Sequence, residues 1–258
     1  MILAVLQARM SSSRLPGKTL KPILGKPMLM LELERILRSE KINKLVVATS
    51  INTEDDLIAE ISQKMSVVCF RGNLNDVLDR FYKAAQPYAP EHVVRLTGDC
   101  PLIDPEVIDA TIDFYLQEGC EYASNCQPPY TFPDGLDTEV FSFSALETAW
   151  KEAILPSQRE HVTPFIRKYP ERFRIGHYMN NVSLGHLRWT VDEAKDFEFV
   201  TKVYEALYPV NSAFTTGDIL QLLERNPALT RINNDIGRNE GTKKSLGEDK
   251  IFLAQRAA

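Results

Sequence analysis

The chain opens on an unbroken apolar run, Ile2-Leu3-Ala4-Val5-Leu6, which ends at Gln7 in a loop crowded with cations and hydroxyls. A short apolar run without polar alternation is the pattern of a strand buried on both faces, as in a parallel sheet covered by helices. The loop that follows holds Arg9, Arg14 and Lys18, the hydroxyls of Ser11, Ser12 and Ser13, and the turn pair Pro16-Gly17. A loop of this kind at the end of a central strand suits polyanionic oxygen, most simply a nucleoside triphosphate. It is not a Walker loop: Gly17-Lys18-Thr19 imitates the end of that motif, but Ser12 stands where its first glycine belongs. The alternative is a surface loop with scattered charges.

The pattern then repeats. Strand candidates at Ile2–Leu6, Leu45–Ala48, Val67–Phe70 and Val93–Leu96 alternate with helix candidates at about 28–38, 54–64 and 75–86. Such alternation predicts an α/β fold, a mostly parallel Rossmann-like sheet with helices on both faces. Without a G-x-G-x-x-G element a dinucleotide dehydrogenase is disfavoured. Ligands of such sheets bind beyond the carboxyl ends of the strands. The polar triplets Gln7-Ala8-Arg9, Arg71-Gly72-Asn73 and Thr97-Gly98-Asp99 fall there.

Past residue 120 the alternation fades. A Pro- and Gly-rich loop at 127–135 is expected over the site, then a strand at 138–143, helices at 144–153 and 157–168, and a strand at 172–179. Helices at 193–207 and 216–225 complete one domain over 1–232, and a polar, poorly ordered tail is expected over 233–258.

With 258 residues the chain can bury a sizeable core. Lys+Arg of 30 against Asp+Glu of 35 gives a net charge of −5, which disfavours a nucleic-acid surface. No apolar segment is long enough to span a bilayer, and no basic region precedes the short N-terminal run, so neither membrane insertion nor a signal peptide is expected. Cys69, Cys100, Cys120 and Cys126 form no C-x-x-C pair, which fits reduced thiols and a cytoplasmic location.

Two carboxylates stand out. Asp99 follows a buried strand on a turn between Gly98 and Pro101, aimed at the crevice, whereas Asp104, before Pro105, suits a helix cap. Asp192 ends Leu-Arg-Trp-Thr-Val-Asp immediately before a helix, so a cap and a ligand role are both open to it, and Asp196 reads as a helix-start charge. Arg9, Arg14 and Lys18 would neutralise a triphosphate, with Arg14 and Lys18 best placed for charge on departing pyrophosphate.

The loop Gln-Ala-Arg-Met-Ser-Ser-Ser-Arg-Leu-Pro-Gly-Lys also resembles the signature of the sugar-acid cytidylyltransferases, the group of CMP-Kdo synthetases, acylneuraminate cytidylyltransferases and SpsF-type spore-coat polysaccharide proteins. Gly-Asp-Cys-Pro-Leu-Ile around Asp99 and Arg-Trp-Thr-Val-Asp-Glu-Ala-Lys-Asp-Phe around Asp192 are similar to further motifs of that family, and the likeness runs from Met1 to about Tyr208. The resemblance implies a nucleotide-diphospho-sugar transferase-like fold, with a small β-containing insertion at about 127–187 for sugar binding and homodimer contact. It implies that Asp99 and Asp192 bind Mg²⁺, and that backbone groups at Gln7, Ala8 and Arg9 and the hydroxyls of Ser12 and Ser13 touch the nucleotide. Phe-Arg-Gly-Asn-Leu-Asn-Asp-Val-Leu-Asp-Arg-Phe-Tyr is similar to a segment bordering the nucleoside, which puts Arg71 and Gly72 on the base side; Asn75 is expected to cap the next helix, and Asp76 and Arg80 to pair on its surface. The motifs at Asp134, Gly135, Asp137 and Glu139 and at Arg159 and His161 resemble segments that face the acceptor sugar.

The expected activity is transfer of CMP from CTP to a 3-deoxy-2-ulosonic acid, Kdo-like or sialic-acid-like, for surface polysaccharide synthesis. Alternatives are another nucleoside triphosphate with a sugar phosphate or phosphonate, a nucleotide-sugar-dependent glycosyltransferase, disfavoured because no D-x-D motif occurs in the first half, and a non-catalytic nucleotide-binding module.

Overall fold

A computed structural model of the chain describes residues 1–238 and 240–257. The N-terminal half carries β1 (Ile2–Gln7), a hairpin of β2 (Pro22–Ile23) and β3 (Lys26–Pro27), α1 (Met28–Ile36), β4 (Lys44–Ser50), α2 (Asp56–Lys64), β5 (Val68–Gly72), α3 (Val77–Ala85), β6 (His92–Thr97) and α4 (Pro105–Glu118). Then come β7 (Tyr122–Ser124), β8 (Glu139–Ser142), α5 (Phe143–Glu152), α6 (Pro156–His161), α7 (Pro164–Lys168), β9 (Ile175–His177), α8 (Ala194–Leu207), α9 (Thr216–Arg225) and α10 (Glu240–Ala257).

Seven strands form one sheet in the order β5-β4-β1-β6-β8-β7-β9. β1 pairs in parallel with β4 and β6, and β5 extends that parallel run. β8 is antiparallel to both β6 and β7, while β9 lies parallel to β7. Period-two alternation of side chains explains why β1 is apolar throughout. Leu3 and Val5 enter a cluster with Val77 and Phe81 of α3 and Leu146 of α5. Ala4 and Leu6 point to the other face, among Leu29 and Leu33 of α1, Ile58 of α2 and Ile112 of α4. Both faces are therefore covered, as the sequence predicts.

A third cluster lies beside the sheet. Trp189, Val191, Phe199, Tyr204, Phe214 and Ile219 pack there with Met28 and Leu31 of α1. It seats α8 and α9 against α1, and it fixes the segment that carries Asp192.

Several boundaries differ from expectation for local reasons. α4 and β7 were not among the expected elements. The signals for α4 are nonetheless plain: Asp104 accepts from the Glu106 amide at 3.0 Å, Pro105 opens the helix and Gly119 closes it at φ 61°. The helix expected over 157–168 is two short ones, α6 and α7, broken at Val162 (φ 70°) just before Pro164. α3 is capped by Asp76, which accepts from the Asp79 amide at 2.9 Å, and not by Asn75. The segment from 233, expected to lack order, instead begins with a buried Asn233 and ends in the helix α10. Its polarity misleads because α10 is held by polar contacts, not by a buried apolar stripe. The four cysteines are unbridged. No helix among the described residues is long and apolar enough to cross a membrane.

Candidate active site

The carboxyl ends of β1 and β6 meet at Gly98. Its amide donates to the Gln7 carbonyl at 2.8 Å, and a Cβ there would lie 2.9 Å from Ala8 Cβ. Only glycine lets the two strand ends approach this closely. Gly98→Ala is therefore expected to push the 7–18 loop outward and weaken nucleotide binding severalfold, measurable by titration calorimetry with CTP.

The loop itself is folded back and pinned. Met10 N–H donates to the buried Asp55 carboxylate at 2.7 Å, Gly17 N–H donates to Met10 C=O at 3.2 Å, and Thr19 Oγ1 donates to Arg9 C=O at 3.0 Å. Gly17 stands at φ +69°, a left-handed turn that needs its missing side chain. Folding the loop this way carries Lys18 inward, where it is 9 % exposed.

At the centre, Lys18 Nζ donates to Asp99 Oδ2 at 3.2 Å, Asp192 Oδ1 at 2.9 Å and the Val191 carbonyl at 2.7 Å. Burial works against the ammonium, but Asp99 and Asp192 outweigh it and hold the Lys18 pKa above the ordinary lysine value. Burial likewise opposes ionisation of Asp99, yet Lys18 and a hydrogen bond from Thr97 keep its pKa below the usual carboxylate range. Arg14 reaches the same Asp192 oxygen at 2.9 Å. Two carboxylates from distant parts of the chain thus converge on one cation.

Asp192 does not cap α8. That task falls to Asp196, fully buried, whose Oδ2 accepts from the amides of Asp192 at 2.9 Å and Glu193 at 3.0 Å. The expectation of Asp196 as a simple helix-start charge understates it. Asp196 also receives Arg188 Nε and Nη2, each at 2.9 Å, and Asn233 Nδ2 at 2.9 Å. Arg188 continues to Asp192 Oδ2 at 3.2 Å and Asp134 Oδ2 at 2.9 Å. Freed from capping, the Asp192 side chain turns to the cavity.

That cavity, of about 360 Å³, is lined by Gln7, Ala8, Arg9, Ser12, Ser13, Arg14, Lys18, Asp99 and Asp192 together with Asp134, Asp137 and His161. The structure so gathers most of the residues singled out from the sequence. It leaves out five. Arg71 turns to Ser50 C=O at 3.0 Å and Asp56 at 2.6 Å, and Gly72 continues the β4–β5 ladder, so neither lines the cavity. Gly135 is a packing glycine: at φ +116°, its Cβ would fall 2.5 Å from Thr190 N. Glu139 is spent inside the fold, pairing with Arg95 and accepting from Tyr122 Oη and Thr163 Oγ1, both at 2.6 Å. Arg159 pairs with Asp76 at 2.6 Å and 3.0 Å instead of facing the cavity.

Sequence reasoning missed Arg80, Arg95, Arg188 and Glu160 as lining residues. Arg80 does not pair with Asp76 on the helix surface; it is 1 % exposed, donates Nη1 to the Asn73 carbonyl at 2.7 Å, and its Nε has no hydrogen-bond partner among the described residues. Burial, with Arg9 nearby, lowers its pKa to about 10. A signal was present: residues 77, 80, 81 and 84 share one helical face, and the other three are apolar. Arg95 likewise interrupts the apolar run of β6. The Asp137 carboxyl is raised by burial to about 7. Burial and the nearby Arg95 hold the His161 imidazole below its ordinary pKa, so it is neutral at pH 7.

A family model described as Cytidylyltransferase matches residues 3–218. The chain belongs to the cytidylyltransferase family. This cytidylyltransferase is 32% identical to the spore coat polysaccharide biosynthesis protein SpsF of Bacillus subtilis over 88% of this chain and 95% of that one. Over about half of each chain, 49% here and 52% there, it is 35% identical to the 3-deoxy-manno-octulosonate cytidylyltransferase of Anaeromyxobacter dehalogenans. Among solved structures, a cytidylyltransferase from Leptospira borgpetersenii superposes with a TM-score of 0.83 at 35% identity, covering 89% of this chain and 96% of its own. The cytidylyltransferase is thus a nucleotidyltransferase enzyme of the Rossmann-like α/β class, similar to the SpsF and Kdo branches.

Proposed function

We propose that this cytidylyltransferase couples CTP to a 3-deoxy-2-ulosonic acid, releasing pyrophosphate and yielding the CMP-sugar. The observation that carries the reading is the convergence of Lys18, Asp99 and Asp192 on the cavity floor, faced by Arg9 and Arg14. The anomeric hydroxyl of the acceptor attacks the α-phosphorus in line, the bond from that phosphorus to the oxygen bridging to the β-phosphate breaks, and the hydroxyl proton leaves to solvent.

Arg9 and Arg14 bind phosphate oxygens, and Lys18, held beside the reacting centre, stabilises charge that grows on the leaving pyrophosphate. Backbone groups at Gln7–Arg9 and the Ser12 and Ser13 hydroxyls border the nucleotide. Arg80, whose buried Nε has no hydrogen-bond partner among the described residues, takes the base-side role for which Arg71 and Gly72 were expected. Asp134 and Asp137 accept from sugar hydroxyls, with neutral His161 beside them.

The donor set fits a hard divalent cation. Asp99 and Asp192 offer oxygen ligands close enough to share one cation, and the described residues hold no cluster of three His, Cys, Asp or Glu that would bind a metal by itself. Mg²⁺, which typically takes one or two carboxylates together with substrate phosphates, suits that arrangement. Held by Asp99 and Asp192, it would neutralise charge on the phosphate oxygens.

Pyrophosphate release measured with Mg²⁺, each of CTP, UTP, GTP and ATP, and a panel of ulosonic acids and sugar phosphates tests the proposal. Turnover only with CTP and a ulosonic acid is the expected result. Turnover with a sugar phosphate or another nucleotide would keep nucleotidyl transfer and overturn the substrate pair.

A further inference from the structure

The family match ends at residue 218, yet Gly237 and Ser245 line the cavity. The wall that these residues form is attached to the body at three places. Asn233 Nδ2 donates to Asp196 Oδ1 at 2.9 Å and to the Arg188 carbonyl at 3.0 Å. Arg238 pairs with Asp134 at 3.2 Å and Asp137 at 3.1 Å, and its guanidinium stacks 4.2 Å above the Tyr130 ring. On α10, Asp249 accepts from Ser157 N at 2.9 Å and Ser157 Oγ at 2.6 Å, supplying from a distance the cap that α6 lacks. Ser245 Oγ donates to Glu160 Oε2 at 2.6 Å and lies 2.9 Å from His161 Nε2.

These attachments are polar. Leu246, Ile251 and Leu253 of α10 remain 52 %, 61 % and 51 % exposed, so little apolar burial among its described side chains holds the helix down. A helix held this way opens locally far more readily than the sheet does.

We propose that Gly237, Arg238 and the helix α10 form a movable wall that closes over the bound acceptor, with Arg238 and Asp249 as its positioning residues. The inference rests on the acceptor binding beside Asp134 and Asp137. When closed, Arg238 fixes both carboxylates in place for sugar hydroxyls, and Ser245 orients Glu160 and His161. When open, the cavity admits the acceptor and releases the larger product.

The test compares the full-length wild type with Arg238→Ala, Arg238→Lys and Asp249→Ala, using CTP and 3-deoxy-manno-octulosonate. Pyrophosphate release is followed with and without the acid, and amide exchange is followed across residues 245–257. The alanine variants are expected to raise the acid's KM about tenfold while leaving the CTP KM within about twofold, a split that a general loss of structure does not produce. Arg238→Lys should recover part of the loss, and Asp249→Ala should speed amide exchange along α10. Acceptor-free release should rise in both alanine variants as water enters. Faster exchange in α10 with an unchanged KM and unchanged acceptor-free release would overturn the proposal, as would equal losses for CTP and acid. A wild type that uses only another acceptor refutes the ulosonic acid and leaves the wall to be judged by the acceptor-free release. A wild type that does not bind CTP refutes both.

Discussion

Asp99→Asn should leave a folded protein whose pyrophosphate release from CTP is slower by roughly 10²–10³-fold, the cost typical of losing one group that stabilises transition-state charge. The fold should survive because the joint between the β6 turn and the Asp192 segment uses the Asp99 backbone: its carbonyl accepts from Val191 N at 2.8 Å and Thr190 Oγ1 at 3.1 Å. Asparagine keeps that carbonyl and the side-chain shape but removes the charge. Asp192→Asn should behave alike, since its own helix is capped by Asp196. Steady-state kinetics at saturating CTP, with the far-UV spectrum as a control for folding, decide the matter. A loss under about threefold in both variants would remove these carboxylates from the chemistry.

Arg188→Met should destabilise the fold severely. Arg188 faces Asp134, Asp192 and Asp196, and Asp196 is entirely buried. Removing the cation strands a buried carboxylate, which costs about 3–5 kcal/mol, or a fall in melting temperature on the order of 10 °C for a chain of this size. The pH dependence follows from the sign of the shift. In the wild type, burial would raise the Asp196 pKa, but hydrogen bonds from Arg188 and Asn233 hold it below the usual carboxylate value. That contribution is present above the unfolded pKa of about 3.9 and is lost as pH falls through the folded value. In the variant Asp196 keeps the Asp192 and Glu193 amides and Asn233 but loses its counter-charge. Burial and like charges then raise its pKa relative to the wild type, and the penalty should shrink as pH drops from 7 toward 5. Urea unfolding of both proteins at several pH values checks this. A pH-independent difference would assign the loss to packing.

The fold and the gathering of the 7–18 loop, Asp99 and Asp192 around one cavity were legible because local patterns determine them. An apolar run that breaks into cations, or a carboxylate on a Gly-bounded turn, says the same thing in sequence as in space. Asp99, Asp192, Lys18 and the 7–18 loop are of that kind. What misled was pairing across distance. Arg159 and Glu139 look available in sequence, but Asp76 and Arg95 consume them. Arg71 follows a strand end correctly yet points away, since β5 lies at the sheet edge, two strands from the cavity floor at β1. Arg80 was hidden by the habit of putting arginine on the wet face of a helix. The C-terminal wall was missed because its contacts are side-chain hydrogen bonds with no periodic signature.

The order of strands in the sheet also governs how the protein is made. β1 leaves the ribosome first, but its two neighbours are β4 and β6, with Leu3 set against Lys44 and Ile2 against His92. Pairings of such long sequence separation are slow to form and leave apolar strands exposed meanwhile. The central strand is therefore synthesised earliest and enclosed late. One of its edges has no partner until residue 50 has emerged and the other none until residue 97, and Lys18 meets its second carboxylate only when residue 192 has followed. A nascent chain halted between those points would carry a formed parallel core and an unfinished site.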